Sequence, residues 1–87
     1  PVLIHSADPL AFFQPVDRRN ERWMQLRRFP DWQITHVTWD QVVEQRNRMI
    51  AVHPRTNFIV AHMAEAAHDY GTLGAWLDAM PNMHVDL

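Results

Sequence analysis

Two short apolar runs, each ending on a histidine, place the strongest constraint on the fold. Residues 2–5 read Val-Leu-Ile-His, and residues 58–62 read Phe-Ile-Val-Ala-His. Short continuous apolar runs of this kind are typical of strands buried on both faces of a parallel sheet. In a third run, residues 83–87, alternation places His84 and Asp86 on one face. The sequence therefore predicts three strands with polar groups near their ends.

The segments between these runs predict helices. A short helix is expected from Asn20 to Phe29, where Pro30 ends it. Thr38 and Gln41 have the spacing of a capping box. Two apolar stripes follow at helical spacing, the first formed by Trp39, Val42, Val43, Met49 and Ile50 and the second by Leu73, Trp76, Leu77 and Met80. Alternating strands and helices predict an α/β fold with a parallel sheet and right-handed crossovers.

Composition removes several function classes. The chain has 87 residues and a net charge of −2, which fits one small domain and argues against a general nucleic-acid binder. It has no cysteine, so disulfides, cysteine zinc sites and a thiol nucleophile are excluded from this stretch. The lone serine, Ser6, lies outside any Gly-x-Ser-x-Gly motif. No apolar run reaches the ~20 residues of a membrane span.

His5 and His62 are the main candidates for chemistry. Parallel α/β proteins place their functional groups at the carboxyl ends of strands, where both histidines are expected. A neutral imidazole can bind a divalent metal or move protons at neutral pH. A histidine in this position can also serve only to hydrogen-bond a loop. A catalytic metal site usually takes three protein ligands plus an open position, so two histidines alone do not decide the matter.

Two aspartates are weaker candidates. Asp86, on the third strand, could hold a histidine in one tautomer, or could be an ordinary strand-end carboxylate. Asp8 could bind substrate or order the loop after His5, and Asp8-Pro9 is also a common turn sequence. The arginines around the first predicted helix could attract a carboxylate substrate or form a solvated face.

Four segments together resemble the metal-dependent amidohydrolase superfamily, in particular the amidohydrolase-2 branch that includes aminocarboxymuconate-semialdehyde decarboxylase-like enzymes. They read PVLIHSADP, NERWMQLRRFPDW, HPRTNFIVAHMAEA and MPNMHVDL, and the similarity runs along all 87 residues in order. The resemblance implies a partial (β/α)₈ TIM barrel, with residues 1–87 forming a single segment from roughly the fifth to the seventh strand and truncated at both ends.

The resemblance also implies roles for individual residues. His5 matches the family's fifth-strand metal ligand. His62 matches its sixth-strand histidine, which is catalytic, or a second-metal ligand in binuclear members. The family's remaining ligands, a first-strand His-x-His pair and an eighth-strand Asp, match nothing in this chain, and Asp86 does not take the role of that Asp. Ala64 stands where the family often has glycine.

The activity implied is hydrolysis of an ester, lactone or amide by metal-activated water, with zinc the expected metal. Metal-dependent non-oxidative decarboxylation on the same fold is one alternative, and a small α/β interaction module without catalysis is another. We expect a small-molecule substrate such as a carboxylic acid derivative, and no nucleic-acid or membrane partner. The expected location is cytoplasmic, and assembly of the protein into an oligomer is one possibility. The 87 residues alone are expected to be inactive.

Overall fold

The structure, a computed structural model, describes residues 1–87 and contains three strands and four helices. The strands are β1 (Val2–Ile4), β2 (Phe58–Val60) and β3 (Met83–Val85). The helices are α1 (Trp23–Arg28), α2 (Trp39–Val52), α3 (Ala61–Ala64) and α4 (Tyr70–Ala79). Two 3₁₀ turns, Leu10–Phe13 and Pro30–Trp32, flank α1 and its preceding loop.

The three strands form one parallel sheet in the order β1-β2-β3. Ile4 pairs with Val60, and Val60 pairs with Val85, so the three carboxyl ends lie side by side. The predicted parallel α/β arrangement is therefore confirmed for these three strands. His5, His62 and Asp86 follow these three carboxyl ends, one or two residues after the last residue of each strand.

The core lies between the central strand and the helices. Phe58 and Val60 of β2 pack with Ile50 of α2 and Leu73 of α4 in one buried apolar cluster. The same cluster includes Ala64, next to the carboxyl end of β2. The backbone beyond β2 is thus anchored in the core even though the neighbouring His62 side chain is exposed.

Helix α2 begins and ends on side-chain hydrogen bonds. The hydroxyl of Thr38 accepts from the Gln41 amide and the Gln41 side chain accepts from the Thr38 amide, so the predicted capping box is confirmed. At the other end, the buried Asn82 donates to the carbonyl oxygens of Ile50, His53 and Thr56, each at 3.0 Å. Asn82 is the residue immediately before β3, so these hydrogen bonds connect the start of β3 to the end of α2.

Several predicted element bounds are wrong. The second strand ends at Val60 instead of continuing to His62, because the chain turns into α3 at Ala61. The first helix starts at Trp23, three residues later than Asn20, because the Asn20 side chain bonds back to the preceding loop. The first strand ends one residue before His5, and the third ends one residue before Asp86.

None of the helices combines the length and the apolar character that crossing a bilayer requires.

Candidate metal centre

His5 and His62 meet at the carboxyl ends of β1 and β2. His5 follows Ile4, whose register partner Val60 lies two residues before His62. The two imidazole rings touch edge to face, with centroids 5.1 Å apart and an interplanar angle of 80°. Both residues are exposed, so their rings can be reached from solvent. The pairing of adjacent parallel strands is what brings together two histidines that are distant in sequence.

The backbone that carries His62 has an unusual conformation. His62, Met63, Ala64 and Glu65 have positive φ angles between 53° and 61°, and none of them is glycine. α3 is therefore a left-handed turn, a conformation that costs roughly 1–2 kcal/mol per residue for L-amino acids. Strain of this kind persists only where surrounding contacts impose it, and it concentrates at functional sites.

Contacts from two other elements hold this left-handed turn. A carboxylate oxygen of Asp86 accepts from the His62 amide at 2.7 Å, and the Asp86 carbonyl accepts from the Met63 amide at 2.8 Å. Arg46 of α2 donates to the Ala64 carbonyl at 2.8 Å. The turn is thus fixed from the β3 side and from the α2 side.

Glu65, at the end of the turn, points a carboxylate at the two histidines. It is only 6% exposed. Its Oε1 lies 3.7 Å from Nε2 of His5, which is beyond hydrogen-bond distance, and this buried oxygen has no hydrogen-bond partner. One potential ligand atom from each of His5, His62 and Glu65 lies within 4.8 Å of the others. These three residues are called the His-His-Glu group below.

The electrostatics of the group reflect burial and its two histidines. Burial raises the pKa of the Glu65 carboxyl above its ordinary value of 4.5, and the charges of His62 and His5 act in the opposite direction. The nearby charge of Asp8 adds to the upward shift, while that of Arg46 reduces it. The carboxylate therefore sits where more positive charge nearby would stabilise its ionised form.

Arg46 lies behind the group as a buried cation. Its Nη1 donates to the Ser6 hydroxyl at 3.0 Å as well as to Ala64, and its guanidinium stacks over Trp76 at 5.0 Å. Burial lowers the pKa of Arg46 to about 10, while the charge of Glu65 opposes that shift. Arg46 thus links α2, the loop after β1 and the left-handed turn without forming an ion pair within 4.0 Å of Glu65.

The donor set suits a divalent cation such as zinc. Two imidazoles and one carboxylate form the ligand set of several catalytic zinc sites, which leave the fourth position to water or substrate. Ligand atoms about 2.0–2.1 Å from a tetrahedral ion lie roughly 3.3–3.4 Å apart, slightly less than the 3.7 Å from His5 to Glu65. The unpartnered Glu65 oxygen is a further sign of fit, because buried carboxylate oxygens are ordinarily paired.

A cleft opens beside the group. Its volume is about 390 Å³, and its walls include His62, Glu65, His68, Arg19 and Arg22. The buried Asn20 orders the arginine-bearing loop by donating to the carbonyls of Ala11 and Pro15 at 2.8 and 3.0 Å. Two of the arginines predicted around the first helix therefore line the same cleft as the candidate site.

The other predicted site residues are not members of the His-His-Glu group. Asp86 contacts the backbone of His62 instead of its imidazole, so its hydrogen bond does not set a tautomer. Asp8 lies outside the His-His-Glu group and lines a separate depression with Phe12 and Trp32. His84 is exposed and is not part of the group.

Neither Glu65 nor Arg46 was predicted from the sequence as a residue of the site. Each of them nevertheless has a sequence feature that could have identified it. Glu65 is a lone carboxylate in an alanine-rich stretch three residues after His62. Arg46 shares the apolar face of α2 with Val43 and Ile50 at helical spacing, where a charged residue needs a buried partner.

Comparisons of the chain with protein-family models, with curated proteins and with solved structures return no match.

Proposed function

We propose that this chain carries the metal site of a hydrolase that cleaves an ester, lactone or amide bond. The observation that carries the proposal is the convergence of His5 and His62, with ring centroids 5.1 Å apart, at the carboxyl ends of adjacent parallel strands. The proposed architecture is part of a (β/α)₈ barrel, a fold whose catalytic groups stand at this edge of the sheet. The resemblance to amidohydrolases favours the same fold and chemistry.

The proposed division of work follows the environment of each side chain. His5 binds the divalent ion, most suitably zinc. The ion, when bound, supplies a water of lowered pKa and polarises a substrate oxygen. His62, exposed at the cleft wall, takes a proton from the attacking water and returns it to the leaving group. In a binuclear site, His62 would instead bind a second ion.

The substrate proposed is a small carboxylic acid derivative. Arg19 and Arg22 line the cleft that also holds His62, and a guanidinium offers paired donors to a carboxylate. The negative charge of Glu21 in the same wall would disfavour a substrate with several anionic groups. A cleft of about 390 Å³ has room for a small molecule.

The test is metal-dependent turnover by the whole barrel protein of the proposal, since the 87 residues alone are expected to be inactive. That protein is stripped of metal with a chelator and reloaded with Zn²⁺. The substrates tested are p-nitrophenyl esters, γ- and δ-lactones, anilides and aromatic carboxylic acids. For the carboxylic acids, the reaction is measured by the release of CO₂. We expect hydrolysis that needs Zn²⁺, is lost in His5→Ala, and falls at least about 100-fold in His62→Ala. The matched control is His84→Ala, which changes an exposed histidine outside the group.

Three outcomes would count against this proposal. CO₂ release without hydrolysis would favour the decarboxylase. Turnover that persists without metal would contradict the metal mechanism. Full activity in His62→Ala would contradict the catalytic role of His62.

A further inference from the structure

We infer that Glu65 is a metal ligand and that, with His5 and His62, it forms a three-donor site for a divalent cation within residues 5–65. The inference deepens the metal site of the proposed function. It goes further because neither the strand-end pattern nor the amidohydrolase resemblance assigns Glu65 any role. In this site His62 binds the same ion as His5, which replaces the proton-transfer role given to it above, and the fourth position is open for water.

The position of Glu65 is the first reason. It is a carboxylate only 6% exposed, and its Oε1 has no hydrogen-bond partner although it faces Nε2 of His5 at 3.7 Å. An unpaired buried carboxylate oxygen is costly to the fold, and more so when the group is charged. A cation between Glu65 and the histidines would remove that cost.

The distances within the group are the second reason. The three ligand atoms lie within 4.8 Å of one another, so tetrahedral coordination requires movements of no more than about 1.5 Å. The exposed imidazoles of His5 and His62 have room for such movements, whereas Glu65 is held in place by burial. The least mobile donor therefore fixes the place where the ion binds.

The local backbone is the third reason. Four left-handed residues in succession put His62 and Glu65 on the same side of the chain, facing His5. Asp86 and Arg46 both hydrogen-bond to this turn. A strained conformation fixed from two sides, with its first and last residues in one cluster of donors, is the arrangement expected of a ligand-presenting turn.

A simple ion pair between Glu65 and a protonated histidine is the competing explanation. An ion pair requires a protonated histidine, and a protonated imidazole has no free lone pair with which to bind metal. A metal site behaves in the opposite way, because its histidines must be neutral to bind. Metal binding at pH 8 therefore separates the two explanations.

The experiment is a titration of the metal-free protein with Zn²⁺ at pH 8. Calorimetry measures the affinity and the stoichiometry, and NMR monitors the resonances of the imidazole nitrogens and of the Glu carboxyl carbons. We expect one Zn²⁺ per chain. The imidazoles of His5 and His62 and the carboxyl carbon of Glu65 should shift together, while those of His84 and Glu44 stay in place. Glu65→Gln should weaken binding at least about 100-fold, since even residues that only support ligands change affinity 10–100-fold.

The matched control is Glu44→Gln, at an exposed glutamate on α2. If Glu65→Gln disturbs the fold, the wild-type carboxyl resonance still decides the question. An unshifted Glu65 carbon with both histidines shifted would overturn the role of Glu65, as would unchanged affinity in folded Glu65→Gln. These readouts do not involve turnover, so a bound Zn²⁺ with no hydrolysis would contradict the proposed function and leave this inference standing.

Discussion

The carboxylate of Asp86 accepts a hydrogen bond of 2.7 Å from the backbone amide of His62. The contact joins the residue after β3 to the turn after β2, across the edge of the sheet where the candidate site lies. Asp86 thus acts on His62 through the main chain and fixes the backbone position from which the imidazole extends. The backbone carbonyl of Asp86 also accepts a hydrogen bond from the Met63 amide.

Loss of the Asp86 carboxylate should loosen the site. In Asp86→Ala the His62 amide loses its side-chain acceptor, and we expect Zn²⁺ affinity to fall about 10-fold, within the range for residues that orient ligands. Asp86→Asn keeps an oxygen in the same place and should retain most of the affinity. Calorimetric titration of the three proteins checks this. Equal affinity in Asp86→Ala and wild type would mean that the turn holds without the carboxylate.

The left-handed turn makes an unusual prediction for glycine. Ala64 has φ of 55°, where glycine is free of the steric penalty that alanine suffers. Relief of strain should offset the buried methyl group lost in Ala64→Gly, so we expect the free energy of unfolding to stay the same or rise.

The matched control for Ala64→Gly is Ala51→Gly, at an exposed position of the right-handed helix α2. There the same substitution should lower the free energy of unfolding by about 1 kcal/mol. Urea denaturation measures both changes. A larger loss in Ala64→Gly than in Ala51→Gly would contradict the left-handed conformation.

Asn82 should be important for stability. Its buried side-chain amide donates to three carbonyl oxygens, at the end of α2 and in the loop that follows it. Asn82→Ala leaves those oxygens without this donor, and we expect a loss of about 2–3 kcal/mol in the free energy of unfolding. Asn57→Ala, at an exposed asparagine before β2, should change it by less than about 0.5 kcal/mol. Similar losses in the two variants would contradict the capping role.

Asp69 should make stability depend on acid pH. Hydrogen bonds from the amide and the hydroxyl of Thr72 at the start of α4 lower the pKa of Asp69 below its ordinary value of 3.8. The ionised form is therefore favoured in the folded state. Its contribution is present above about pH 3.8 and is lost as pH falls through the lowered folded pKa.

Thermal melts between pH 2 and pH 7 check this linkage. Asp69→Ala should lower the melting temperature at pH 7 and should lose less stability than wild type as the pH falls below 4. Asp78→Ala, at an exposed aspartate of the same helix, is the control and should follow the wild-type profile. A wild-type slope in Asp69→Ala would show that other groups cause the acid dependence.

The parts of the fold that depend on local pattern could be predicted from sequence. Apolar runs identified β1 and β2, and the spacing of Thr38 and Gln41 identified the start of α2. Parallel pairing then placed His5 and His62 at one edge, because neighbouring parallel strands end together. These inferences needed only side-chain periodicity and capping chemistry.

The conformation after Val60 could not be predicted in this way. The residues Ala-His-Met-Ala-Glu have no glycine or asparagine to signal positive φ, and by propensity they favour a right-handed helix or a continued strand. Contacts with Asp86 and Arg46, distant in sequence, impose the left-handed turn. Glu65 reaches the histidines only because of that turn, so its part in the site was equally hidden.

A crystal structure of the protein grown with Zn²⁺, with anomalous diffraction recorded at the zinc edge, tests the metal site most directly. We predict one strong peak, about 2.0–2.1 Å from a nitrogen of His5, a nitrogen of His62 and a carboxylate oxygen of Glu65. A structure with no peak there, or with zinc held only by surface histidines such as His53 or His84, would contradict it.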